Sequence, residues 1–287
     1  LTSMPNFAQT GFQPFTLKIR GELRQWSEPQ VMGILNCTPD SFYAASRQES
    51  EQAIAARIEA IANEGASMID IGAYSSRPGA EDVTPEEEKE RLRPALKLVS
   101  KIAPQLIVSV DTFRADVAKM CVEEYGADII NDISGGDFDN ELFSMVAKLG
   151  VPYILMHIKG EPHTMQNAPH YDHFMQEVCK YLDLRIEKLA LLGVNDVILD
   201  PGFGFGKTVA HNYDLMRHLR DLQLFGLPLF VGVSRKSMIY KPLGITPEES
   251  LNGTSVLNTY ALMNGAAILR VHDVKEAVQA VKICSQL

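Results

Sequence analysis

Eight short apolar runs cross the chain, and seven of them stop on a polar side chain: VMGILN at Asn36, LIVSVD at Asp111, DIIN at Asn131, YILMH at His157, VILD at Asp200, LFVGVS at Ser234 and AILRVH at His272. The eighth, MIDIG, ends on Gly72 just before SSRPG. Runs this apolar suit parallel strands buried on both faces, and polar groups at their carboxyl ends are where an α/β barrel assembles its active site. Helix-period segments fill the intervals. Residues 51–64 set Ile54, Ile58 and Ile61 at three- and four-residue steps and stop at Gly65. Thr84-Pro85-Glu86-Glu87 then opens a helix with an N-cap, an N1 proline and an acidic first turn. Further helices are predicted over 114–125, 139–149, 172–192, 210–220, 247–263 and 273–285.

Eight strands alternating with eight helices predict a TIM (β/α)8 barrel. The rival is a doubly wound open sheet, which gathers its ligand groups at one switch point; here polar strand ends are spread over all the units. Residues 15–26, FTLKIRGELRQW, break the rhythm and predict a short N-terminal β-hairpin around Gly21, a lid over the barrel's amino-terminal mouth. Residues 1–13 are expected as a tail and 14–287 as a single domain, since a barrel of this length is one folding unit.

Composition narrows the classes of function. The 46% hydrophobic content supports a large core, and a net charge of -9 leaves no basic face with which to bind nucleic acid or an anionic membrane surface. No apolar run is long enough to span a bilayer, and the N-terminus lacks the basic and apolar regions of a signal peptide. Cys37, Cys121, Cys179 and Cys284 lie far apart with no CxxC pairing, the pattern of reduced thiols, so a cytoplasmic location is expected.

The strand ends supply the candidate chemistry. Asp200 lies in ILDPGFGFGKT, whose glycines keep side chains away from the carboxylate and suit a flat ligand; the spacing is not that of a GxxxxGK[ST] phosphate loop. A tight turn capping a helix would also explain these glycines, though not an aspartate ending a buried strand. Asp111, Asn131 and Lys236, in GVSRKS, complete a set of acceptors and donors matching the edge of a 2-amino-4-oxo heterocycle. An internal ion-pair network of Lys236 with Asp200 or Asp111 is the equally open alternative. Arg270 and His272 alternate onto one face at the last strand end, with Asp273 opening a helix, and together form an anion seat. Ser75, Ser76, Arg77 and Pro78 add hydroxyls and a cation on a loop, or form an ordinary turn. His157, His163, His170 and His173 crowd together without zinc-ligand spacing and read as decoration of a long loop. EEEKER at 86–91 reads as a solvated helix face with intrahelical pairs.

The segments VMGILNCTPDSF, DIGAYSSRPGA, SVDTFRADVA, INDISGG, MHIKGEPHTMQ, ILDPGFGFGKT, GVSRKS, LNGTSVLN and ILRVHDV resemble, in order, the successive signatures of the dihydropteroate synthases, over about residues 31–275. The resemblance implies a homodimeric, Mg²⁺-dependent TIM-barrel transferase of folate synthesis, inhibited by sulfonamides. It would join p-aminobenzoate to 6-hydroxymethyl-7,8-dihydropterin pyrophosphate, releasing pyrophosphate and forming 7,8-dihydropteroate. Carried over by position, it assigns Asp111, Asn131, Asp200 and Lys236 to the pterin, with Met156 and Phe205 walling its faces. Asn36 matches the Mg²⁺–pyrophosphate contact, and Ser76, Arg77, Arg270 and His272 match the anion contacts. Phe42, Ser75, Ser76, Pro78, Phe205 and Ser234 match positions around p-aminobenzoate. Asp40 would fold over the site with its loop and joins Asp111, Lys236, Arg270 and His272 as the catalytic set. Where the family commonly continues DSFSDGG, this chain has DSFYAASRQES, so Ala44 replaces the second aspartate and the glycine pair is missing. Two other readings of a pterin-reading barrel are a pterin-dependent methyltransferase, which has no need of the anion seat, and a pterin binder without catalysis.

Overall fold

The computed structural model describes residues 7–37, 47–74, 83–160, 165 and 169–287. Ten strands are present among them: β1 (Phe15–Ile19), β2 (Glu22–Trp26), β3 (Gln30–Asn36), β4 (Met68–Gly72), β5 (Ile107–Asp111), β6 (Ile129–Asp132), β7 (Tyr153–Met156), β8 (Val197–Asp200), β9 (Leu229–Val231) and β10 (Ala266–Val271). Strands β3 to β10 close on themselves in chain order, β10 pairing with both β3 and β9, and every pairing is parallel. This is the expected eight-stranded barrel. Its strands are buried on both faces because helices cover the outside while their own side chains fill the interior, which is why the runs read as continuously apolar.

The helices are α1 (Arg47–Asn63), α2 (Pro85–Ile102), α3 (Ala115–Tyr125), α4 (Leu142–Leu149), α5 (Phe174–Leu191), α6 (Val209–Arg217), α7 (Ser237–Leu243), α8 (Leu251–Met263) and α9 (Val274–Cys284). Thr84 forms the expected capping box with Glu87 at the start of α2. One boundary moves for a local reason. Asp139, expected inside the fourth helix, instead accepts the Ala115 N–H at 2.7 Å and the Glu141 N–H at 3.0 Å, so it caps α3 and leaves α4 to begin at Leu142. Helix α7 was not predicted, because it is two turns long and contains Pro242.

Strands β1 and β2 form the antiparallel hairpin, with Phe15, Leu17 and Ile19 buried on one side. At its tip Arg20 donates to Asp128 Oδ1 and Oδ2 at 2.9 and 3.0 Å and to the Leu106 carbonyl at 2.9 Å. Asp128 and Leu106 immediately precede β6 and β5, so the hairpin does seal the amino-terminal end and leaves the opposite mouth for ligands. Phe7 and Phe12 ahead of it are also buried, in contact with each other and, through Phe12, with Phe15.

The EEEKER segment is not a uniformly solvated face. Glu88 is completely buried and ion-paired with Arg114, whose Nη2 also donates to the Val83 carbonyl at 2.6 Å. Helical position turns Glu88 inward toward α3, while Glu86 and Glu90 stay exposed and pair with Lys89 and Arg93 three residues on. Among the described residues no helix is long and apolar enough to cross a membrane.

Candidate functional site

Strand register brings the predicted residues together. Asn36 lies opposite Gly72, Gly72 opposite Asp111 and Asp111 opposite Asn131, so three polar side chains share one level at the carboxyl end of the barrel. Asp200 pairs with Met156 on the far side. Gly72 leaves little room between its neighbours, since a Cβ there would meet Asp111 Cβ at 3.2 Å.

Asp200 accepts the Gly202 N–H at 2.7 Å, and burial raises its pKa against the opposing pull of Lys236. Lys236 donates to the Phe203 carbonyl at 2.6 Å and sits 4.8 Å over the Phe205 ring. Burial lowers its pKa to about 8, with Asp200 and Asp111 pulling the other way. Met156 and Phe205 belong to one apolar group with Ile133, Ile158 and Met165, forming a wall beside the polar set.

The ion pair of Lys236 with Asp200 or Asp111 left open by the sequence is not seen among the described residues; the network that forms there has Arg270 at its centre. Arg270 Nε donates to Asp70 Oδ2 at 2.7 Å and Nη2 to Asp111 Oδ2 at 3.2 Å. Asp70 Oδ2 also accepts from Asn131 Nδ2 at 3.0 Å. Burial and the nearby Asp70 carboxylate raise the pKa of Asp111, while Arg270 opposes the rise. Asp70 was missed by the sequence reading, which followed strand ends. A signal was present nonetheless: a lone carboxylate in the apolar run MIDIG, two residues before Gly72 and therefore facing the same way.

His272 and Arg270 diverge although they alternate on one strand. The His272 N–H donates to Ser234 Oγ at 3.2 Å, and Ser234 Oγ lies 3.0 Å from His272 Nδ1. The contact holds the ring by Nδ1, with the hydroxyl able either to donate its proton to that nitrogen or to accept one from it through its second lone pair. Burial, reinforced by Arg270 and Arg235, lowers the His272 pKa to about 4. Near neutral pH the His272 imidazole is therefore uncharged in this geometry. Asp273 opens the last helix as expected, standing at its N-cap, but its carboxylate makes no cap hydrogen bond and instead takes Arg235 Nε and Nη2 at 3.0 and 2.5 Å. Arg57 ties the last strand to the first, donating to the His272 carbonyl at 2.6 Å and the Ile34 carbonyl at 3.3 Å.

The glycines of GFGFGK divide by role. A Cβ on Gly202 would lie 1.9 Å from the His157 carbonyl and one on Gly206 2.2 Å from the Lys159 carbonyl, so these two serve close packing between loops. Gly204 alone faces Lys236, at 3.3 Å from its Cδ. Lys207 is buried and knits the same loops, reaching His157 Nδ1 at 2.8 Å and the Gly202 and Phe205 carbonyls at 2.8 and 3.1 Å. Burial holds the His157 pKa well below its usual value. His157 is thus structural, and His170 pairs with Asp172 at the surface. Among the described residues no three His, Cys, Asp or Glu converge as a metal site. Asp40, Phe42, Ser75, Ser76, Arg77, Pro78 and His163 lie outside the described residues.

Residues 32–272 match the family described as pterin binding enzyme. The chain is 42% identical over 259 residues to the dihydropteroate synthase of Escherichia coli strain K12, covering 90% of this chain and 91% of that protein. It superposes with a TM-score of 0.87 and 40% identity on a Yersinia pestis dihydropteroate synthase in complex with a sulfonamide drug, over 95% of this chain and 98% of the other. A Xanthomonas albilineans dihydropteroate synthase in complex with 7,8-dihydropteroate gives a TM-score of 0.83 at 36% identity, over 94% of this chain and 97% of the other.

Proposed function

The chain belongs to the pterin-binding enzymes as a dihydropteroate synthase, and on that premise we propose how its barrel mouth joins p-aminobenzoate to 6-hydroxymethyl-7,8-dihydropterin pyrophosphate. The observation that carries the assignment of residues is the convergence of Asp111, Asn131, Asp200 and Lys236 on one rim, with Met156 and Phe205 as an apolar wall. Asp200 accepts from the pterin's amino and ring N–H groups, and Lys236 donates to its oxo group or ring nitrogen. Phe205 stacks against the ring, where Lys236 already lies over it.

Pyrophosphate takes the opposite side of the mouth. Arg270 spends Nε and one Nη2 hydrogen on Asp70 and Asp111, which leaves three of its five N–H groups for the anion. His272, Ser76 and Arg77 complete the seat. The residues present fit Mg²⁺ carried in with the substrate: Asn36, at the end of β3, can offer a hard amide oxygen, and Mg²⁺ is commonly held by few protein oxygens with substrate phosphates and water. Bound there, Mg²⁺ would neutralise charge on the departing pyrophosphate.

C–O cleavage precedes amine attack in this reading. The electron-rich dihydropterin delocalises the methylene cation, the Asp111 and Asp200 carboxylates face the positive charge as it develops, and Arg270 and His272 face the leaving anion. No residue need act as a nucleophile. Phe42, Ser75, Pro78 and Ser234 line the p-aminobenzoate approach, Asp40 closes over it, and the weakly basic aniline attacks without a strong general base. Sulfonamides occupy the same subsite.

Exposed Val256 and Tyr260 on α8 offer the homodimer face, and the buried thiols of Cys37, Cys121 and Cys284 suit a reducing cytoplasm. Incubation with both substrates and Mg²⁺ should give dihydropteroate and pyrophosphate. Positional isotope exchange in the pyrophosphate without p-aminobenzoate, or a pterin carbinol trapped by water, supports the cleavage-first order. Absence of both favours concerted displacement.

A further inference from the structure

We infer that Asp70 is a positioning residue that fixes the polarity of the Asn131 amide, so that Asn131 presents its oxygen to the bound heterocycle and selects a ligand edge that donates N–H. This rests on the pterin reading and deepens it.

Asp70 lies inside the barrel with no exposed surface, and Asn131 is only 3% exposed. One oxygen, Asp70 Oδ2, accepts from both Asn131 Nδ2 at 3.0 Å and Arg270 Nε at 2.7 Å. A primary amide has two chemically opposite ends of the same shape, and in isolation nothing chooses between them. Here the choice is forced. A carboxylate offers only acceptors, so turning Asn131 over would set its carbonyl against Asp70 Oδ2 and leave two buried acceptors facing each other without a proton. The NH₂ therefore stays on Asp70 and Oδ1 is the end left for a ligand.

Arg270 makes the lock rigid. Its second contact, from Nη2 to Asp111 at 3.2 Å, holds the guanidinium across the barrel and keeps Nε on the same Asp70 oxygen that Asn131 uses. The other Asp70 oxygen, Oδ1, is buried with no hydrogen-bond partner among the described residues.

The test is a double-mutant cycle on binding of 6-hydroxymethyl-7,8-dihydropterin, read by calorimetry on the full chain, with thermal unfolding to verify that each variant is folded. Asn131→Ala and Asp70→Ala are each expected to weaken binding about tenfold, the size of one lost hydrogen bond. If Asp70 works through Asn131, the double variant is no weaker than Asn131→Ala alone, whereas independent effects multiply to about a hundredfold. Asp70→Asn should recover affinity to within about threefold of wild type, because its amide oxygen can still accept from Asn131 Nδ2. Multiplying losses, or an Asp70→Asn variant as weak as Asp70→Ala, overturns the inference. Failure of the wild-type chain to bind the pterin would instead strike at the pterin reading beneath it.

Discussion

Ser234 Oγ sits 3.0 Å from Nδ1 of His272 while also accepting the His272 N–H at 3.2 Å. The pair holds the imidazole by Nδ1, and burial lowers its pKa from 6.5 to about 4. A histidine that resists protonation when folded makes stability depend on pH. Between pH 6.5 and about 4 the unfolded chain binds the proton and the folded chain does not, so the His272 contribution is fully present above pH 6.5 and is lost as pH falls through 4. The loss is on the order of 3 kcal/mol. Urea unfolding followed between pH 4 and 7 should show this slope reduced by up to about one proton in His272→Gln.

Asp200 and His272 stand on opposite sides of the proposed bond cleavage. Asp200→Ala is expected to abolish pterin binding, because it removes the acceptor for the heterocycle's N–H edge and leaves Lys236 without its nearest opposing charge. His272→Ala should chiefly weaken pyrophosphate binding, by about tenfold for one hydrogen bond. Calorimetry with the pterin alone and with pyrophosphate alone separates the two, and a reversed pattern would refute the division of the site.

The glycines of the Asp200 loop are expected to fail differently. Gly202→Ala drives a Cβ to 1.9 Å from the His157 carbonyl at a residue with φ of +75°, so it should cost roughly 2–5 kcal/mol of stability. Gly204→Ala carries the same kind of left-handed strain, at φ +84°, but meets only the flexible Lys236 side chain, 3.3 Å from its Cδ, and shifts that lysine as well. Its expected signature is a raised KM for the pterin substrate, with a smaller shift in Tm than Gly202→Ala.

Arg114 and Glu88 form a buried pair, with side chains 18% and 1% exposed. Arg114→Met strands the Glu88 carboxylate and should cost about 3–5 kcal/mol. Urea denaturation should register this as a lower midpoint with an unchanged m value. Replacing both residues with apolar side chains should recover part of the loss, since the charge left without a partner then disappears.

The barrel was readable because its signals are local. Apolar runs bounded by turn chemistry, helices with N-caps, and strands ending on Asn36, Asp111, Asn131, Asp200 and His272 all lie within short windows of chain. Asp70 escaped because it sits within its strand, where alternation alone does not say that an inward residue lies close to the mouth. Glu88 escaped because a charge run on a helix looks the same whether or not one turn of it faces a neighbour. The role of Lys207 was equally hidden, since a lysine after a glycine-rich turn suggests an exposed cation, whereas the fold buries it against His157 and two carbonyls.

The chain by itself therefore determined the eight-stranded architecture, the end of the barrel that carries the chemistry, and most of the polar groups found there. Which of those groups pair was settled only by closure of the barrel. Closure carries Arg270 across to Asp70, 200 residues away in sequence, and turns His272 aside to Ser234. Residue type and strand period specify where a side chain stands and which way it faces. The hydrogen bonds it forms depend on which distant group occupies the neighbouring strand, and that becomes definite only when the sheet has closed.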